Sequence, residues 1–182
     1  TAGEAACWGD NFYGQLGDGT TANRASPVLV PFLANVVELA AGGGHTCARR
    51  NTNEVYCWGL NNLGQIGDGT TTNHNTAVLV NGISATRLAV GGLHTCALAA
   101  TGQVACWGDN GYGQLGDGTT TASTTPRQVS MLTDAVELAA GTYHTCALRQ
   151  PGVLSCWGHN DSGELGDGTT TQRNVPTDVV WQ

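Results

Sequence analysis

The 182-residue chain has no lysine, one methionine and two phenylalanines, and only 12% of its residues are charged. Globular domains usually carry about 25%. The seven cations are scattered arginines (Arg24, Arg49, Arg50, Arg87, Arg127, Arg149 and Arg173) against fourteen acids, for a net charge of −7. Nucleic acid and anionic membranes are held by concentrated positive charge, so neither is expected as a partner. No apolar run approaches the ~18 residues that span a bilayer, and no signal-peptide pattern is visible, so membrane insertion is not expected. Helical periodicity is missing as well. So are Gly-x-Ser-x-Gly and phosphate-loop motifs, and no nucleophile–base set stands out. The chain therefore reads as non-enzymatic, with no cofactor.

What is present is repetition. Cys-Trp-Gly begins at Cys7, Cys57, Cys106 and Cys156, and His-Thr-Cys begins at His45, His94 and His144, so the period is 49 to 50 residues. Each period holds four short β-rich runs, for example Pro27–Val30, Val36–Ala41, Thr46–Arg49 and Val55–Trp58, separated by Gly, Pro and Asn clusters. Four strands per ~50 residues is the arithmetic of a propeller blade. The expected fold is all-β: a β-propeller of four-stranded antiparallel blades, about 3.5 repeats forming a single domain over 1–182. Counted from the triplets, the units are 7–56, 57–105, 106–155 and a partial 156–182. In this phase the chain opens on a blade's last strand and ends after another's first. Closed propellers need 4–8 blades, so an excerpt of a longer chain, an assembly of copies or an unclosed ring is expected.

Six of the seven cysteines form pairs ten residues apart: Cys47 and Cys57, Cys96 and Cys106, Cys146 and Cys156. A turn at Ala100-Thr101-Gly102 pairs Ala99 with Gln103, and counting outward places Cys96 opposite Cys106. Opposed residues lie within reach of a disulfide, although paired buried thiols satisfy the same pattern. Disulfides persist in oxidising compartments, which points to a secreted or surface protein. Cys7 occupies the second position of such a pair, and its partner would lie upstream of the first residue.

Between strands recurs Gly-Gln-Leu-Gly-Asp-Gly-Thr-Thr, at Gly14, Gly64, Gly113 and Gly163, with Ile66 for Leu and Glu164 for Gln. Its Leu or Ile is the expected core plug. Pro27, Pro126 and Pro176 are expected to start the edge strand, with Ala77 in the second block. His45, His94 and His144 invite a metal reading, but a ring of blades holds equivalent residues apart, so bonding to a neighbouring strand is expected instead. Asp18, Asp68, Asp117 and Asp167 give one acid per loop, which suits a turn better than calcium. Trp8, Trp58, Trp107 and Trp157 read as packing between blades rather than a sugar platform. His74 and His159 do not recur and carry no expectation.

With these residues in view, the chain resembles the regulator-of-chromosome-condensation repeat family. Its marks are Cys-Trp-Gly-x-Asn-x-x-Gly-Gln-Leu-Gly-Asp-Gly-Thr-Thr-Thr, the downstream Pro-x-x-Val, and Ala-Ala-Gly-x-x-His-Thr-Cys-Ala-Leu. The resemblance implies a propeller, most often of seven blades around an axial channel. The paired cysteines look like the family's bacterial, exported branch. Its best-known members are nuclear exchange factors for a small GTPase, a role that depends on an inserted β-wedge and basic chromatin contacts absent here. Other members use loops at one propeller end to hold proteins.

Specificity on a uniform scaffold is written where repeats differ. Those positions include Phe12, Tyr13, Leu63, Tyr112 and Tyr143, the expected binding-loop residues. The expected function is an extracellular protein-interaction module. The alternatives are self-assembly of copies into a surface layer or fibre, and a glycan-binding propeller.

Overall fold

Runs of β-branched and small residues, each cut by a Gly- and Thr-rich loop, can satisfy their backbone only by pairing with one another. The computed structural model describes residues 3–181. Gln182 and the first two residues lie outside the described span. Among the described residues there are fourteen strands and no helix. β1 (Ala6–Gly9) and β2 (Arg24–Leu29) form a two-stranded sheet. The first complete blade is β3 (Val36–Ala41), β4 (His45–Arg50), β5 (Val55–Gly59) and β6 (His74–Leu79). The second is β7 (Arg87–Val90), β8 (His94–Leu98), β9 (Val104–Gly108) and β10 (Ser123–Gln128). The third is β11 (Ala135–Ala140), β12 (His144–Arg149), β13 (Val153–Gly158) and β14 (Arg173–Asp178). All pairing is antiparallel between consecutive strands.

The central hairpins have the expected register. Cys47 faces Cys57, Cys96 faces Cys106 and Cys146 faces Cys156, and each pair is a disulfide with Cα atoms 4.1 Å apart. Cys7 is a free thiol.

Blade phase differs from the count made on Cys-Trp-Gly. The sheets take in residues 36–79, 87–128 and 135–178 rather than 57–105 and its neighbours. The long loop after each Cys-Trp-Gly strand folds back, so the run that follows pairs with that strand, as Gly59 does with His74. The described chain thus begins on a third strand, β1, and ends after a fourth, β14. The outer strands also begin three residues before the prolines, at Arg24, Ser123 and Arg173. Each proline falls inside the register shift of an edge strand, for example between Ser123 and Arg127, where a missing donor is tolerated.

The core lies between blades. Trp58, Trp107 and Trp157 are 0% exposed, and the plugs Leu16, Ile66, Leu115 and Leu165 are buried, Ile66 and Leu115 in clusters with the Cys47–Cys57 and Cys96–Cys106 disulfides. Each indole lies under a loop of the preceding blade. Trp107 Nε1 donates to the Gln65 carbonyl at 3.0 Å, and its ring covers Gly67. A Cβ on Gly67 would sit 2.5 Å from that nitrogen, and its φ of +83° disfavours any side chain. Trp8 departs from the expected packing: it is 61% exposed, because no blade precedes β1 among the described residues. Trp107→Ala is therefore expected to cost about 3–5 kcal/mol. Trp8→Ala stays within about 0.5 kcal/mol, as for surface changes. Urea melts of the two variants check this contrast, and equal losses would contradict it.

Candidate functional site

In every blade the turn between the first two strands and the long loop between the last two emerge at the same end. His45, which opens β4, pairs with Gly59, which closes β5, and His74, which opens β6, pairs with that same glycine. The variable positions therefore gather on one loop end.

A buried asparagine in each long loop, the Asn of the Cys-Trp-Gly-x-Asn motif, holds it in shape. Asn110 Oδ1 accepts from Leu115 N at 3.0 Å, while Nδ2 donates to the Thr119 and Thr121 carbonyls at 3.2 and 3.1 Å. Asn11, Asn61 and Asn160 repeat the clasp. The loop aspartates close turns as expected: Asp167 Oδ1 accepts Thr169 N and Oγ1 at 2.9 and 2.7 Å. The Thr169 hydroxyl, with Arg173, holds Asp167 down at about 2. Arg24 serves Asp18 in the same way, and His74 stands in its place beside Asp68 at 2.8 Å.

The recurrent histidines stitch blades together. His45 Nε2 meets Thr95 Oγ1 of the next blade at 2.9 Å, and that hydroxyl donates its proton to the Gln65 carbonyl. Thr95 must therefore accept from His45, which fixes the Nε2–H tautomer of a neutral ring. His94 and Thr145 repeat the arrangement against Gln114. The Nδ1 atoms of His45 and His94 are buried without partners. Burial pushes His45 down to about 4 and His94 to about 3, the latter helped by the neighbouring histidines.

Of the expected binding residues, the structure brings Tyr112 and Tyr143 together, with ring centroids 5.3 Å apart. It adds His159, whose ring meets Tyr112 edge-on at 4.7 Å. Phe12 and Tyr13 pair only with each other at 4.9 Å, and Tyr13 lies against Gly44. Leu63 is half-buried in its own loop, its amide bonded to Gln65 Oε1. Beside the tyrosines opens a recess of about 280 Å³ lined by Thr142, Tyr143, His144, His159 and Glu164.

A paired change between repeats makes this corner distinct. In two loops a glutamine donates to an aspartate, Gln15 to Asp10 and Gln114 to Asp109. In the last loop both residues change, and His159 Nδ1 faces Glu164 Oε1 at 2.9 Å. His159 has no role assigned from sequence; the signal that could have found it is the paired exchange of Asp10/Gln15 and Asp109/Gln114 for His159/Glu164 between repeats. Glu164 is held below the usual carboxylate range by backbone amides, its own and that of Ser162, and by His159. Asp161, 3.3 Å from His159 Nε2, remains largely exposed. The result is an aromatic pair with two carboxylates at its rim. It can hold a flat or cationic group.

Comparison with known proteins bears on the scaffold. No curated protein matches the chain. Among solved structures it resembles human WBSCR16 (24% identity, 99% of this chain and 48% of that one, TM-score 0.87). It also resembles yeast RCC1 (Prp20), solved bound to Kap60 (22%, 98% and 45%, TM-score 0.84). A second structure of Prp20p from Saccharomyces cerevisiae, reported with its binding to Gsp1p and histones, agrees (23%, 97% and 46%, TM-score 0.82). The chain spans about half the length of these structures, and at such identities they establish the propeller fold alone. The model of the regulator of chromosome condensation (RCC1) repeat matches residues 3–49, 52–98 and 101–148, and a second model of that description matches 36–65, 85–114 and 135–164. Most of the chain is thereby covered, and the Cys-Trp-Gly strands, asparagine-clasped loops and His–Thr stitches are the residues of those repeats: the chain belongs to the regulator of chromosome condensation (RCC1) repeat family.

Proposed function

We propose that the chain is a non-enzymatic, extracellular protein-binding propeller segment that docks its partner on the loop end. The observation that carries this reading is the convergence of Tyr112, Tyr143 and His159 from two blades beside an open recess. Tyrosines anchor interfaces because they bring large contact area at little conformational entropy. Tyr143 is 39% exposed, so its ring is available. The three disulfides support an oxidising compartment.

The test is selection of a random-peptide library on the immobilised protein. Peptides that bind the parent are expected to lose at least tenfold in affinity on Tyr112→Ala/Tyr143→Ala. Loss of a central aromatic anchor costs about 2 kcal/mol or more. The melting midpoint of the variant, measured alongside, separates lost binding from lost folding. Peptides indifferent to both substitutions would place the binding surface elsewhere.

A second reading, self-assembly, is favoured by the face that carries β1. Trp8 is exposed there, Leu39 is half-exposed, and a recess of about 320 Å³ runs from Cys7 and Trp8 to Gly42 and Thr46. The outer edge of β1 carries no strand among the described residues, and an open edge templates pairing. Light scattering over a hundredfold range of concentration decides it. A constant mass removes this reading, and growth that Trp8→Ser abolishes supports it.

A further inference from the structure

Resting on the loop-end reading above, we infer that the partner segment is basic and that an arginine side chain enters the Tyr112–Tyr143–His159 corner. The argument begins with how charge is distributed. The long loops and the first residue of each outer strand (10–24, 60–74, 109–123 and 159–173) contain eight of the fourteen acids: Asp10, Asp18, Asp68, Asp109, Asp117, Asp161, Glu164 and Asp167. They contain only two of the seven arginines, Arg24 and Arg173. Six of the seven net negative charges therefore sit on the loop end, and the rest of the chain is nearly neutral. Both arginines are already engaged, at 2.8 and 2.7 Å from Asp18 and Asp167. Among the described residues no arginine pairs with Asp10, Asp109 or Asp117, which bond only to Gln, Thr, Asn and backbone groups. At the other end the charges neutralise one another, as Arg49 does with Glu38, Arg50 with Glu54, and Arg149 with Asp134.

A concave surface carrying one sign of charge draws in ligands of the opposite sign and rejects like-charged partners. What selects arginine within that field is the corner itself. A guanidinium is planar, stacks on tyrosine faces and presents a fork of donors to a carboxylate. Tyr112 and Tyr143 supply the faces, tilted 52° to each other at 5.3 Å. Glu164 and the 67%-exposed Asp161, which also contact His159 at 2.9 and 3.3 Å, supply acceptor oxygens at the rim through their remaining lone pairs. His144, lining the same recess, is pushed down by burial, which disfavours a competing positive charge there. The corner is thus a preformed aromatic and anionic seat that none of the chain's own arginines occupies.

The experiment measures fluorescence anisotropy of labelled nona-arginine, nona-lysine and a Gly-Ser nonapeptide at physiological salt. Nona-arginine is expected to bind several-fold more tightly than nona-lysine, and the neutral peptide not measurably. Asp161→Asn/Glu164→Gln should weaken nona-arginine at least tenfold, and Tyr143→Ala should do the same. Glu137→Gln/Asp178→Asn, which removes equal charge at the opposite end, should change it less than twofold. Equal weakening by the two charge-neutralising pairs means only the overall field is felt and overturns the inference, as does equal affinity for lysine. Library-selected peptides of neutral or acidic composition that require Tyr112 and Tyr143 also overturn it while leaving the protein-binding reading intact. A library that yields no loop-end binder defeats both.

Discussion

Reduction of the three disulfides is expected to unfold the chain at room temperature. Each bridge closes a loop of ten residues' separation, and constraining such a loop in the unfolded ensemble is worth about 2.7 kcal/mol. Three bridges together contribute about 8 kcal/mol, against a total of about 5–15 kcal/mol for a typical domain. Cys47, Cys57, Cys96 and Cys106 are fully buried between blades, so the reductant reaches them only through opening of the sheet. The measurement is far-UV circular dichroism in rising urea, with and without a phosphine reductant, paired with intact mass. Mass should rise by two hydrogens per bridge as the strand signal collapses. An unchanged urea midpoint after the mass has shifted would show that packing between blades suffices without sulfur. Cys7 offers an internal control. Its thiol is pushed up by burial, so at neutral pH it alkylates slowly, but it does so without reductant.

Acid between pH 6.5 and pH 4 is expected to remove about 5 kcal/mol of stability through two residues, His45 and His94. Both rings are neutral in the fold, and their proton affinities are depressed by burial to about 4 and about 3. In the unfolded chain they titrate near 6.5. On acidification the unfolded state takes up protons first, so stability falls as pH drops below 6.5, and the fall ends only near the folded values. The paired carboxylates act in a different window. Asp18, despite burial that opposes it, is drawn down to about 2 by Thr20 and Arg24, and Asp167 is held at the same level. Their contribution is complete above about pH 4 and is lost only below it. Urea midpoints at half-unit pH steps separate the two groups. His45→Gln/His94→Gln should flatten the curve between pH 6.5 and 4 while leaving the steeper loss below pH 4. A parent protein equally stable at pH 7 and pH 4.5 would mean that these rings accept protons in place, through their unpartnered Nδ1 atoms.

Much of this architecture is legible from periodicity because a propeller blade makes few demands beyond its own repeat. Short strands, three-residue hairpin turns and ten-residue cysteine spacing are local, and local spacing sets antiparallel register. Cys96 opposite Cys106 follows from the turn at Ala100–Gly102 alone. What escaped was phase. The run at Pro27–Val30 has the same strand character whichever neighbour it joins, and only the fold-back of the asparagine-clasped loop assigns it to β1. Burial of the tryptophans likewise follows from neighbours. Trp8 and Trp58 share one motif, yet one is exposed and the other sealed because a loop of the preceding blade covers only the second.

The candidate site divides along the same line. The amino-acid order by itself determined which loops vary and that Tyr112 and Tyr143, thirty-one positions apart, are aromatic. It also determined the strands, the sulfur pairs and the share of acids in the long loops. Tertiary structure alone decided that those two tyrosines meet across a blade junction, that His159 joins them, and that Phe12 and Leu63 do not. It also decided that the acids of four loops face one way. The reason is physical: spacing along a chain specifies contacts within a hairpin, whereas contacts between blades depend on how packed sheets are stacked and turned, which no single repeat encodes.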